Sequence, residues 1–324
     1  MSHTAFTALT ALTAHSAHSA IAPTPPVPAI LLLASRDSEV GLCMTGGALS
    51  HFSWRGQSVL RAAQASAVAA GAVRHMAMYP LVPYSNRIGD ALLKTGGTAF
   101  RLRANMPPEP HAIHGFGWQR QWRLVARDAA RAEIMLVHAG DADWPFACAV
   151  RQCVRLVDDV LEVSLAVRNT DLRPMPAGLG FHPYFPLAPG VRLQTSWQQM
   201  WQMGIDCLPI RLAAVPPSAI FTAPRPLEHW KVDHCFTGWS RSAVLYYAHH
   251  AVRLDASAAC RNIVCFAPDD GRDFIALEPV THVNNAFAMA ADGVNETGTV
   301  ILAPGEELSI SMTIAVHETT AGHD

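Results

Sequence analysis

Prolines and glycines punctuate this chain so often that long helices have almost nowhere to form. Twenty-three prolines and 21 glycines are spread along 324 residues. Proline removes a backbone donor and fixes φ, and glycine weakens a helix interior, so both break long helical windows. Between them lie short apolar or alternating runs: residues 134–137, 160–167 and 243–247. Residues 308–316 read Leu-Ser-Ile-Ser-Met-Thr-Ile-Ala-Val, a period-two pattern that buries one face of a strand. Ala303-Pro304-Gly305-Glu306 is the turn that launches it, and Asn169-Thr170-Asp171 is another turn. The one helical candidate, residues 62–70, is alanine-rich, lacks an apolar stripe and stops at Gly71.

Many short strands without βαβ alternation predict an all-β fold, a large single-domain antiparallel β-sandwich. No internal repeat and no composition shift divides residues 29–318, which are expected to form that domain, followed by a tail at 319–324. Residues 1–28 are rich in Ala, Thr, His, Ser and Pro and are expected to be a disordered extension. No Lys or Arg precedes Arg36, so the positive region of a secretory signal is missing and a cytoplasmic location is expected.

Half of the residues are hydrophobic and 15% are charged, which excludes disorder as the main state and also excludes a coiled coil. A net charge of −2 gives no basic excess for nucleic acid. The longest clean apolar run, residues 29–34, is far short of a membrane span. No glycine-rich strand-to-helix signature points to a nucleotide. Seven cysteines, an odd number, read as reduced thiols; the two C-x4-C pairs lack the second half of a zinc site.

Four segments stand out because polar residues interrupt apolar, aromatic or proline-fixed surroundings. In Tyr79-Pro80-Leu81-Val82-Pro83-Tyr84-Ser85-Asn86-Arg87-Ile88-Gly89, two prolines pin the backbone ahead of an Asn86–Arg87 pair. Arginine presents a charged planar fork suited to several oxygens. In His111-Ala112-Ile113-His114-Gly115-Phe116-Gly117-Trp118, the glycines permit close backbone approach and Phe116 with Trp118 could stack on a sugar. On a strand His111 and His114 would point to opposite faces, with no carboxylate at useful spacing, so no metal is expected. In Gly178-Leu179-Gly180-Phe181-His182-Pro183-Tyr184-Phe185-Pro186, the following proline holds His182 extended, and its imidazole can be tuned as an acid. In Phe274-Ile275-Ala276-Leu277-Glu278-Pro279-Val280-Thr281-His282-Val283, Glu278 ends an apolar run, where burial raises a carboxyl pKa.

Taken in order, these four segments resemble the aldose 1-epimerase (galactose mutarotase) family over residues 41–316. Val232-Asp233-His234-Cys235-Phe236 is similar to a further family segment. The resemblance implies a galactose mutarotase-like supersandwich that interconverts the α and β anomers of a free aldose such as galactose or glucose. It places Glu278 at the general base and His182 at the general acid. Arg87, His114 and Asp233 fall at substrate-binding positions, with Asn86 an adjacent candidate. It implies a sugar as the small-molecule partner, no cofactor and no metal, in a monomer or homodimer. His182 and Glu278 are expected to face each other across one hollow with a pyranose between them. The stretch Asn284-Asn285 departs from common members, and residues 197–226 match nothing, which leaves the substrate open.

Three rival readings follow from the same residues. A hexose 6-phosphate epimerase would need arginines such as Arg74, Arg101, Arg103 and Arg120 to converge on a phosphate. A non-catalytic carbohydrate-binding protein would need no acid–base pair. A glycosidase would need Asp233 as a second carboxylate.

Overall fold

The alternating segments pair edge to edge as antiparallel strands. The structure is a computed structural model that describes residues 30–319. The expectations for residues 1–28 and for 320–324 lie outside the described residues. Nine strands form one sheet, in the order Arg123–Arg127, Arg131–His138, Cys148–Val157, Val160–Asn169, Glu307–Glu318, His250–Ala256, Ser242–Tyr246, Arg192–Thr195, Arg225–Pro226. The alternating C-terminal strand therefore sits at its centre, with Ile310, Met312 and Ile314 buried and the intervening residues more exposed. Among the described residues the helices are short, and none is long and apolar enough to cross a membrane.

A second, eight-stranded sheet runs Pro209–Ala214, Gln199–Met203, Val232–Thr237, Asn262–Ala267, Phe274–Val280, Gly180–Phe181, Pro80–Leu81. Its eighth strand, Tyr184–Pro186, also pairs with Phe274–Val280. One face carries Phe236, Ile263, Cys265, Ile275 and Leu277 into the same buried cluster as Leu161, Val163 and Leu165 of the nine-stranded sheet. The opposite face carries Cys235, Val264, Phe274, Ala276 and Val280 into a second cluster with Tyr79 and Tyr184. This antiparallel sandwich is the all-β fold class expected. It is the doubly covered sheet that holds the site, because apolar neighbours on both faces keep water away from any polar side chain placed there.

The sequence reading needs correction at several points. The helix covers only Ala65–Ala69 and buries none of its residues, as a segment without an apolar stripe would. Cys148 and Cys153 do share a strand, one buried and one half-exposed, but Cys260 lies outside the strand that holds Cys265. Phe116 is no sugar platform: it is wholly buried, stacked 4.1 Å from the His138 ring. His111 and His114 do not lie on one continuous strand; they flank the two-residue strand Ala112–Ile113, and His114 adopts a φ of 61°.

Candidate active site

Strand parity explains which side chains meet. On Phe274–Val280, Glu278 shares its face with Phe274, Ala276 and Val280, away from Ile275 and Leu277. Register then sets Val264 opposite Glu278, Phe266 opposite Ala276, Tyr184 opposite Ala276 from the other side, and Asp233 opposite Phe266. His182 lies in the break between Gly180–Phe181 and Tyr184–Pro186, where its N–H donates to the Tyr79 carbonyl at 3.0 Å. Glu278 thus lies within its strand rather than at the end, as the sequence suggested.

His182 and Glu278 meet directly. Nε2 of His182 lies 3.2 Å from Oε1 of Glu278, and their side chains are 6% and 2% exposed. The imidazole is held between aromatic neighbours: its centroid is 4.4 Å from the Tyr184 ring and 4.7 Å from the Tyr79 ring. The Tyr184 hydroxyl is 3.4 Å from Nε2. Burial pushes the Glu278 carboxyl well above the usual carboxylate range, with the Asp233 charge adding to the effect and Arg87 opposing it. Burial pushes His182 well below the usual imidazole range, reinforced by His114 and Arg61. Both directions favour the uncharged pair, because an ion pair here would have two charges to desolvate. Oε2 of Glu278 and Nδ1 of His182 are buried without a hydrogen-bond partner among the described residues. Each such orphan costs about 1–3 kcal/mol, a cost that packing alone does not explain.

Arg87 lies on the strand Arg87–Ile88, and His114 directly follows its partner strand Ala112–Ile113. Glu109 accepts from Arg87 through Nε at 2.8 Å and Nη2 at 3.1 Å, and Asn86 Oδ1 accepts from Nη1 at 3.3 Å. The Asn86 N–H donates to Nδ1 of His114 at 3.1 Å, while the His114 N–H donates back to the Asn86 carbonyl at 2.9 Å. Burial lowers His114 to about 3, with the Arg87 and Arg74 charges helping. A neutral imidazole whose Nδ1 accepts must carry its proton on Nε2, so His114 is a fixed donor. The expected result in ¹⁵N-resolved NMR is an Nε2–H tautomer of His114 that does not titrate between pH 8 and 5. A resonance that titrates near 6.5 would contradict this environment.

These groups line a cavity of about 480 Å³, within the range of about 300–1,000 Å³ that suits small ligands. All six residues singled out from the sequence line it: Asn86, Arg87, His114, His182, Asp233 and Glu278. Asp233 is half-buried, and its carboxyl is raised chiefly by burial, against the pull of Arg87. Among the described residues, no cluster of three or more His, Cys, Asp or Glu side chains is arranged to hold a metal ion. The spacing expected between His182 and Glu278 is corrected: they touch, which leaves no room for a pyranose between them. A larger hollow of about 850 Å³ elsewhere, lined by Gln198, Trp201, Arg241, Asn262 and Glu296, contains no imidazole and one carboxylate.

Sequence reasoning missed Arg61, Glu109, Phe266 and Arg272, which also line the cavity. Glu109 had a signal, since it stands between Pro108 and Pro110. Arg61 had none, since its N–H donates to the distant Tyr184 carbonyl, and Arg272 stands in the connection between Asn262–Ala267 and Phe274–Val280 with nothing local to mark it. Of the four arginines considered for phosphate, only Arg74 reaches the cavity. Arg103 and Arg120 pair with Asp143, and Arg101 donates to the Asp90 carbonyl.

Comparison with known proteins bears on the family and the fold. A family model described as aldose 1-epimerase matches residues 29–315. An uncharacterized Escherichia coli K12 protein, YphB, is 29% identical over 286 residues, covering 84% of this chain and 93% of that protein. A crystal structure from Escherichia coli K12, assigned only provisionally as an aldose 1-epimerase, superposes with a TM-score of 0.81 at 26% identity. That match covers 90% of this chain and 99% of the other. Galactose 1-epimerase from Lactobacillus acidophilus NCFM shares the fold, with a TM-score of 0.73 at 16% identity over 90% of this chain and 95% of its own. With the family model spanning nearly the whole described chain, this protein belongs to the aldose 1-epimerase family.

Proposed function

We propose that the protein interconverts the α and β anomers of an aldopyranose, with His182 and Glu278 opening and reclosing the ring. The observation that carries this reading is the 3.2 Å contact between two buried, oppositely shifted titratable groups in a ligand-sized cavity. A cyclic hemiacetal opens when its C1 hydroxyl loses a proton and its ring oxygen gains one. Both oxygens are bonded to C1, so an acid and a base that touch each other can each face one of them. Rotation about C1–C2 and reclosure on the other carbonyl face give the other anomer, and both proton transfers reverse. A site that only bound sugar would gain nothing from a titratable pair.

The pair holds one proton to share. In the resting site burial keeps it on Glu278. The family resemblance casts Glu278 as base and His182 as acid. Shifting the proton across the 3.2 Å contact to Nε2 produces those roles with no change in net charge. Arg87, which already opposes the rise in the Glu278 pKa, and the hydroxyls of a bound sugar stabilise the resulting carboxylate. Neutral His114 and the part of the Arg87 fork not used by Glu109 and Asn86 donate to sugar oxygens, and Asp233 accepts from a hydroxyl.

Activity therefore requires the singly protonated pair. Below the depressed His182 value the pair gains a second proton; above the raised Glu278 value it loses its only one. The expected kcat/KM profile is a bell whose acid limb lies below the ordinary imidazole value of about 6.5, and both limbs belong to the pair. A profile still rising through pH 8 would contradict it. The activity itself is tested by polarimetry on freshly dissolved α-glucose and α-galactose. Rotation that changes faster than in protein-free buffer is expected, and rates equal to buffer for every aldose tried, charged ones included, would refute the reading.

A further inference from the structure

We infer that this cavity selects an aldose bearing an anionic group on its exocyclic carbon, a carboxylate or a phosphate ester, with Arg61 as its principal partner and Arg74 assisting. The inference rests on the reading of His182 and Glu278 as the ring-opening pair. Four arginines line the cavity, Arg61, Arg74, Arg87 and Arg272, in a chain whose net charge is −2. Two are neutralised: Arg87 by Glu109, and Arg272 by Asp270, with contacts of 2.9 and 2.8 Å. The other two have no carboxylate partner among the described residues. Arg61 is half-buried, and its Nη2 donates only to backbone carbonyls, those of Met76 at 3.0 Å and Arg74 at 3.4 Å. Arg74 is exposed at the rim.

A half-buried guanidinium without a counter-charge is an unusual choice unless something else supplies one. Aromatic faces fix its position: its central carbon lies 4.1 Å from the Tyr184 centroid and 4.5 Å from that of Phe274. Arg272 approaches the same Phe274 ring at 5.2 Å, so two like charges converge on one patch. Stacking uses the face of a guanidinium and leaves its N–H edge for a planar or tetrahedral anion. Burial and the charge of Arg272 both lower the Arg61 pKa, the cost expected of a cation held ready for an anion.

Placement decides which sugar position carries the group. Tyr184 touches both partners, its hydroxyl 3.4 Å from Nε2 of His182 and its ring under Arg61. With His182 facing the ring oxygen, the next ring atom is the carbon that bears the exocyclic carbon. A charged group placed there on the Tyr184 side would meet Arg61, whose guanidinium carbon is 4.1 Å from the Tyr184 centroid. The acidic residues Glu109 and Asp233 approach Arg87 instead, so the cavity has a basic end and an acidic end.

The test measures anomer exchange by NMR, corrected for enzyme-free exchange, on glucose, glucuronate and glucose 6-phosphate. Wild-type kcat/KM for at least one anionic sugar is expected to exceed that for glucose by about 10- to 100-fold, the scale of one charged hydrogen-bonded partner. Preference for one anionic sugar identifies carboxylate or phosphate. The ratio of anionic to neutral kcat/KM should fall at least about tenfold in Arg61→Gln, chiefly through KM, and recover in part in Arg61→Lys. Should Arg61→Gln fail to fold, exposed Arg74→Gln supplies the second reading, and its ratio should fall severalfold. Glucose turned over as well as both anionic sugars, or ratios unchanged in the folded variants, would overturn the inference while leaving the epimerase reading intact. No exchange with any of the three sugars would instead defeat the epimerase reading itself.

Discussion

Glu278→Gln protein, folded and at equal concentration, should lose about 10²–10⁴-fold in mutarotation rate, the usual cost of removing one positioned acid or base. The substitution keeps the shape of the side chain and deletes its proton chemistry. Folding should survive, because Glu278 is a buried carboxyl already held uncharged, and an amide replaces it without a desolvated charge. His182→Asn should fall on the same scale, since it removes the imidazole whose Nε2 meets Glu278. Because one proton serves both residues, the double variant should lose little beyond the worse single variant. Polarimetry on the three variants checks this. Near-normal rotation by folded Glu278→Gln, or losses that multiply in the double variant, would contradict a shared proton.

Gly115→Ala should destabilise the protein by roughly 2–6 kcal/mol, from backbone strain and overpacking of about 1–3 kcal/mol each. Gly115 has a φ of +68°, and a Cβ built there would stand 2.0 Å from the Val82 carbonyl oxygen. The Val82 carbonyl carbon and the Pro83 nitrogen follow at 2.4 and 2.7 Å, and none of the three can yield cheaply, since all are backbone. The close approach that glycine permits in this segment is therefore to the chain itself. Next to Gly115, His114 has a φ of 61° and its Nδ1 accepts from the Asn86 N–H. Gly56→Ala is the matched control: φ is +74°, but nothing lies within 4 Å, so only strain remains. Chemical denaturation should show Gly115→Ala losing at least about 1 kcal/mol more than Gly56→Ala. Equal losses would mean that the approach to Val82 carries no constraint.

Much of the fold was legible because the relevant signals are local. The alternation at residues 308–316 specifies a half-buried strand wherever the chain places it, and the structure places it at the centre of the nine-stranded sheet. The segments around Asn86, His114, His182 and Glu278 stood out because polar groups interrupt apolar or proline-fixed runs. What stayed hidden depends on strand register. Nothing near Phe266 says that it faces the cavity; its pairing with Ala276 and Asp233 decides that. Arg61 follows an ordinary edge strand, and only the meeting of Tyr184 and Phe274 beneath it makes it part of the site. Phe116 misled because an aromatic beside glycines looks the same on paper in a cleft or in a core. The direct contact of His182 with Glu278 was equally invisible, since 95 residues of intervening chain carry no record of a distance.

A crystal structure of the protein with a bound aldose offers the sharpest trial of the whole account. The ring oxygen should sit within about 3 Å of the His182 imidazole, and the anomeric hydroxyl within about 3 Å of the Glu278 carboxyl. A sugar bound with its first carbon turned away from both groups, or lodged only in the larger hollow beside Asn262, would contradict it.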